Sequence, residues 1–144
     1  KMPGLDGQKM SKSYNNTIAL RDDTDSVAKK LRTMPTDPAR VRREDPGDPK
    51  KCPVWQFHQV YSDDGTCQWV KNGCKHATIG CVECKQPVID AVLMELKPIQ
   101  ERAREYEVDM STVKAIINEG NQAAREVARD TLEVVRKAMG IAYL

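Results

Sequence analysis

The chain has 144 residues, 31% of them charged, a net charge of +2 and only seven Phe, Trp and Tyr. That length suits one domain with a modest core. The composition argues against a strongly basic nucleic-acid binder, and no apolar run approaches the roughly 20 residues of a membrane span.

Residues 1–20 read as a loop. Within it stands Lys9-Met10-Ser11-Lys12-Ser13, preceded by Gly4 and Gly7 and followed by Tyr14-Asn15-Asn16-Thr17-Ile18. Two lysines three apart, separated by small residues, describe a loop that can hold polyphosphate. Each lysine offers a compact charge and three donors to phosphate oxygens. The glycines let the backbone swing and approach a ligand closely. A solvated basic loop has the same composition. Residues 1–51 carry twelve Lys and Arg against eight Asp and Glu, whereas residues 87–144 carry eight against ten. The positive excess therefore lies where phosphates would be met.

Asp22, Asp23, Thr24 and Asp25 offer N-caps for a short helix running through residues 26–31 and stopping before Pro35. Pro35, Pro38, Pro46, Pro49 and Gly47 make residues 35–51 an extended connector. It is studded with Arg40, Arg42, Arg43, Lys50 and Lys51. A second short helix is expected over 53–61, broken by residues 62–65, and a third over 66–76.

Two long helices follow. In the first, over 82–106, Val88, Val92, Leu96, Ile99 and Ala103 recur at three- and four-residue steps and make one apolar face. Pro87 fits the first turns, and Pro98 is predicted to kink the helix. The second starts after Asp109 as N-cap and stops at Gly140. Its stripe is Val113, Ile116, Ile117, Gly120, Ala124, Val127, Leu132, Val135 and Met139. Joined by a three-residue turn, the two are expected to pack antiparallel. The fold class is all-α.

Five cysteines are present, Cys52, Cys67, Cys74, Cys81 and Cys84. With Cys67 set aside, the gaps are 21, 6 and 2 residues. Cys81 and Cys84 fall at an expected helix N-terminus, where free N–H groups and the dipole stabilise thiolates. Zinc accepts four thiolates, although its structural sites more often use two C-x2-C pairs and only one exists here. Plain reduced thiols are another reading, and disulfides are disfavoured in a chain of this type. Residues 62–84 hold few large apolar side chains, so a metal there would be structural. His58 reads as a packing histidine. Lys75, His76 and Lys85 surround the cysteines, either as solvated surface or as contacts to unpaired RNA bases.

The string KMSKS is the signature of class I aminoacyl-tRNA synthetases. Its flanks, Pro3-Gly4-Leu5-Asp6-Gly7-Gln8 and Tyr14-Asn15-Asn16, resemble the tryptophanyl branch more than the tyrosyl one. Cys52-Pro53-Val54-Trp55-Gln56-Phe57-His58 looks like that family's helix opening. Gly80-Cys81-Val82-Glu83-Cys84-Lys85 resembles a segment of one bacterial subset, and Val134-Val135-Arg136-Lys137-Ala138-Met139-Gly140 the family's last helix. The resemblance covers the whole chain and identifies it as the C-terminal part of a tryptophanyl-tRNA synthetase. It divides the chain into residues 1–20, the KMSKS loop and the end of the catalytic domain, and residues 21–144, a helical anticodon-binding domain with a cysteine site at 52–84. The family's His-Ile-Gly-His-like motif is absent, so the Rossmann half is expected upstream and this chain alone is expected to be inactive.

The resemblance implies ATP-dependent activation of tryptophan and transfer to tRNA(Trp). Lys9 and Lys12 would be catalytic, neutralising the departing pyrophosphate. Lys9, Met10, Ser11, Lys12 and Ser13 would bind ATP, with Met10 as an anchor. Mg2+ would accompany ATP, with no compelling ligand here. In the bacterial subset four cysteines hold a [4Fe–4S] cluster, which all-thiolate coordination suits. Carried over, the ligands are Cys52, Cys74, Cys81 and Cys84, the first gap departing by one residue; zinc is the alternative. Lys75, His76 and Lys85 would face the anticodon loop. A cytoplasmic homodimer is implied for the intact enzyme. The competing reading is a stand-alone, metal-stapled helical module that binds RNA or protein without catalysis. An upstream Rossmann half with a histidine-rich signature would decide between them.

Overall fold

The computed structural model describes residues 2–141. Among them the regular structure is helical, apart from one isolated bridge between Pro3 and Lys9. Five α-helices follow one another: α1, Thr24–Arg32; α2, Pro53–Tyr61; α3, Asp64–Lys75; α4, Cys81–Val108; and α5, Met110–Ala138. Single 3-10 turns occur at Lys12–Tyr14 and Pro49–Lys51. The chain divides into two compact units, Lys1–Gln100 and Glu101–Leu144.

Aspartates start two helices of the first unit. A side-chain oxygen of Asp23 accepts from the Ser26 N–H at 2.8 Å, and one of Asp63 from the Thr66 N–H at 2.6 Å. Each fills an N–H that the helix leaves open. Pro53 opens α2, where its missing N–H costs nothing. The core is one cluster: Val27, Leu31 and Met34 from and just after α1, Val54 and Phe57 from α2, and Val88, Ile89, Val92 and Leu96 from α4. Burial of each such side chain contributes about 1.5–3 kcal/mol. Gly73 of α3 meets Ile79 so closely that a Cβ there would sit 2.8 Å from it. The Lys30 ammonium meets Asp22 at 2.5 Å, which holds the Asp22 carboxyl below its ordinary range. Gln100 Nε2 donates to the Asp22 carbonyl at 2.8 Å, tying the entry to α1 to the later part of α4.

One expectation for the long helices changes. Helix α4 runs unbroken through both prolines. Pro87 is its seventh residue, past the first turn, so α4 forgoes two ladder bonds. The apolar stripe of α5 lies exposed. One residue, Asp109, separates the helices, and no residue of α5 is buried. Ile116, Ile117, Val127, Leu132, Val135 and Met139 are all exposed. The Val88-Val92-Leu96 face of α4 is already spent on α1 and α2.

Helix α5 is closed at both ends by local chemistry. Asp109 accepts from the Ser111 and Thr112 N–H groups and from both hydroxyls. At the far end Gly140 adopts φ +68°, in the left-handed region. The Ile141 N–H then reaches the Arg136 carbonyl and the Gly140 N–H the Lys137 carbonyl, a Schellman closure.

Candidate functional site

Two clusters of predicted residues can be built from the chain upward. The first is the lysine loop. Residues 2–10 fold back on themselves. The Gly4 N–H donates to the Gln8 carbonyl at 2.6 Å and the Met10 N–H to the Met2 carbonyl at 3.1 Å. Gly7 takes φ +82° at the bend. Asn16, only 3% exposed, is the knot beneath the loop. Its Oδ1 accepts from the Ser11 N–H at 2.8 Å, while Nδ2 donates to Asp6 Oδ1 at 2.8 Å and to the Lys9 carbonyl at 3.2 Å. The Asn16 bond holds the Asp6 carboxyl below its usual value. Lys9, Lys12 and Ser13 are exposed, and Ser11 is half-buried. Met10, also half-buried, turns into an apolar cavity of about 210 Å³ with Ile18, Leu20, Tyr61, Leu96 and Ile99. The loop thus presents two ammonium groups on a base pinned from below. Nothing in the lysine motif itself predicts that Asn16 supplies the pin; the signal is an amide buried in an otherwise polar loop.

The second cluster is formed by cysteines. Cys52, Cys74, Cys81 and Cys84 line one cavity of about 20 Å³, together with Thr36, Asp37, Arg40 and Val54. They come from the start of α2, the end of α3 and the start of α4. Cys67 stands apart, its thiol directed to the His58 carbonyl at 3.4 Å. Burial pushes the Cys84 thiol up to about 12, with the neighbouring Cys52, Cys74 and Cys81 adding to the rise and Arg40 opposing it. Burial likewise raises Cys74, and Arg40 again opposes. Among the described residues no three His, Cys, Asp or Glu side chains are arranged so that they could already hold a metal ion. The four thiols share a wall without being drawn onto one point.

The surroundings test whether these residues suit a metal–thiolate group. Arg40 is 8% exposed and Lys85 6% exposed, and neither has a carboxylate partner among the described ion pairs. The Arg40 guanidinium donates through Nη2 to the carbonyls of Arg43 and Ile79, but its buried Nε has no hydrogen-bond partner. Lys85 Nζ donates to the carbonyls of Arg32 and Met34, each at 2.6 Å. Burial lowers the Lys85 pKa, and Cys81, Cys52 and Cys84 pull it back. Buried cations without counter-ions are costly. Four thiolates around a zinc ion or a [4Fe–4S] cluster carry a net negative charge that would answer both. The one carboxylate on the wall, Asp37, already accepts from the Ala39 and Asp48 N–H groups. The donor set and its charge therefore fit such a group. Gly47 closes the wall. Its N–H donates to the Cys74 carbonyl at 2.9 Å, and a Cβ there would lie 2.7 Å from Cys74 Sγ.

His58 is fully buried, as a packing histidine should be, and both ring nitrogens are satisfied. Nε2 meets the Cys84 carbonyl at 3.0 Å and therefore carries the proton; Nδ1 accepts from the Ser62 hydroxyl at 2.8 Å. Of the three residues expected to face RNA, Lys75 and His76 are exposed at the end of α3. Lys85 departs from that expectation. It is buried with its ammonium on two carbonyls, because the cysteine turn aims this face of α4 inward.

The chain resembles known proteins. The family profile "tRNA synthetases class I (W and Y)" matches residues 1–97. A tryptophan–tRNA ligase of Ralstonia nicotianae is 63% identical over 99% of this chain, which covers 36% of that relative. One of Thermotoga maritima is 45% identical over 99% of the chain, covering 44% of the relative. The chain thus spans less than half the length of these relatives. Among solved structures, the tryptophanyl-tRNA synthetase of Campylobacter jejuni complexed with ADP and tryptophan superposes with a TM-score of 0.81 at 25% identity. That match covers 96% of this chain and 43% of that one. With a profile spanning the loop, the cysteines and most of α4, the chain belongs to the class I tRNA synthetases of the W and Y family.

Proposed function

We propose that this chain is the C-terminal part of a tryptophan–tRNA ligase, supplying the ATP-binding lysine loop and a tRNA-facing helical region. The observation that carries the reading is the loop itself: Lys9 and Lys12 exposed on a base knotted by Asn16. The names of relatives that match almost all of the chain support it. In activation, the tryptophan carboxylate attacks the α-phosphate of ATP and pyrophosphate leaves. Negative charge grows on the leaving group. Lys9 and Lys12 would meet that charge, and contacts that tighten in the transition state raise the rate. Ser11 and Ser13 would contribute to holding phosphate. Met10, packed in its cavity, anchors the loop between the two lysines. Mg2+ would travel with ATP.

Cys52, Cys74, Cys81 and Cys84 are the residues that would hold a [4Fe–4S] cluster, with zinc as the alternative. Bound there, the group would staple α2, α3 and α4 together. What supports this is the one cavity wall that the four thiols share with Arg40, with the Lys85 ammonium near enough to feel three of them.

Two measurements test the reading. In the enzyme that carries this chain, Lys12→Ala should slow tryptophan-dependent pyrophosphate exchange while leaving tryptophan affinity unchanged. A charge-assisted hydrogen bond of about 1.5–3 kcal/mol corresponds to a loss of roughly 10- to 150-fold. Unaltered activation kinetics would remove Lys12 from the mechanism. In anaerobic preparations, Cys67→Ser should keep the metal and Cys74→Ser should lose it, as read by metal analysis and visible absorption. Stoichiometric zinc with a colourless protein would assign zinc instead of the cluster.

A further inference from the structure

Beside the cysteine wall lies a cavity of about 440 Å³, lined by Gly47, Asp48, Pro49, Lys50, Trp55, Lys71 and Lys75. Three elements meet there: the 3-10 turn before α2, the first turn of α2, and α3. Its size suits a small organic ligand. Its chemistry is narrower than its size. One wall is the indole of Trp55, half-buried and braced by the His58 ring at 6.4 Å. Around it stand three exposed ammonium groups, none of them in an ion pair among the described residues. Lys71 and Lys75 are four apart on α3, so they share a face and repel one another unless an anion joins them. Asp48, whose carboxylate accepts from the Lys50 N–H at 3.0 Å, offsets one of these charges and leaves the lining with a net charge of +2.

We propose that this cavity takes one unpaired nucleotide of RNA, its base stacked on Trp55 and its flanking phosphates met by Lys50, Lys71 and Lys75. An aromatic platform inside a positive rim is how proteins hold single-stranded nucleic acid. The stack engages the base face and the lysines engage the backbone on either side. A polymer therefore gains over a free mononucleotide by bridging all three charges. The proposal rests on the reading of the protein as a tRNA ligase, and places its contact with unpaired RNA at this cavity instead of at His76 and Lys85.

The test uses the 144-residue chain with Trp69→Phe, which leaves Trp55 as the only indole. A short unpaired RNA with the anticodon-loop sequence of tRNA(Trp) should quench Trp55 emission on titration. Trp55→Leu should weaken binding of the same RNA by roughly 5- to 150-fold, the span measured for one base–aromatic stack. Lys71→Gln and Lys75→Gln should each reduce the slope of log affinity against log salt by about 0.7. These two lie on the exposed face of α3, so folding should survive, which circular dichroism checks. Quenching by AMP as strong as by the RNA overturns the proposal in favour of a free-nucleotide pocket. RNA binding that ignores Trp55→Leu and both single lysine variants removes the cavity but leaves the tRNA reading intact. If the unsubstituted chain binds no RNA, the cavity proposal falls, while the tRNA-ligase reading is judged by the Lys12→Ala exchange assay.

Discussion

Gly47 shows how a single residue can govern the cysteine cavity. It stands in a proline-rich connector, where sequence suggests only a turn, yet its backbone passes directly over Cys74. Gly47→Ala should push Cys74 Sγ out of line, because the new Cβ would sit 2.7 Å from it. Displacing a group that orients metal ligands costs roughly 10- to 100-fold in metal affinity. Metal content after dialysis against a chelator reads this directly; an unchanged content would mean that Cys74 is not a ligand. Arg40 carries the same lesson in charge. Its orphaned Nε and its influence on Cys74 place a buried cation where thiolates would stand. The four cysteines were grouped through the family resemblance of their gaps, and they line one cavity. Arg40 and Gly47 were not legible, because one more arginine and one more glycine in a loop carry no spacing signal.

At the scale of elements, the helices follow their caps. Asp23, Asp63 and Asp109 start α1, α3 and α5, and Gly140 ends α5 as its position predicts. Asp109 makes a pH-dependent prediction. Hydrogen bonds from Ser111 and Thr112 lower its carboxyl from 3.8 to about 2. A depressed carboxylate contributes stability that is fully present above its unfolded value and fades as pH falls through the folded one. The helicity of α5 should therefore decline between about pH 4 and pH 2 through this group. Asp109→Ala should lower helicity at neutral pH and remove that part of the acid dependence, read by circular dichroism at 222 nm. A variant with the same acid limb as the parent would show that the cap carries no such linkage. The apolar stripe of α5 was also read correctly from its period, but its burial was not. Periodicity identifies a face and says nothing of whether this chain covers it.

For the whole molecule, stability of the first unit should depend on the single cluster shared by α1, α2 and α4. Phe57 is its largest fully buried side chain. Phe57→Ala should cost about 3–5 kcal/mol, read as a lowered midpoint in urea with Trp55 fluorescence. A loss below about 1 kcal/mol would mean that the cluster is not the unit's core. Among the described residues no helix is long and apolar enough to cross a membrane. The sequence by itself determined the lysine motif in its loop and the places of the five helices within a few residues. These are local signals: caps, breakers, residue spacing and a contiguous motif, each read within a few turns of chain. Only the tertiary structure decided that Asn16 knots the loop, that Lys85 is buried, that the α4 face is spent on α1 and α2, and that Trp55 lines one cavity with Lys50, Lys71 and Lys75. Those facts join residues from different elements, and which faces meet is set by competition for one core.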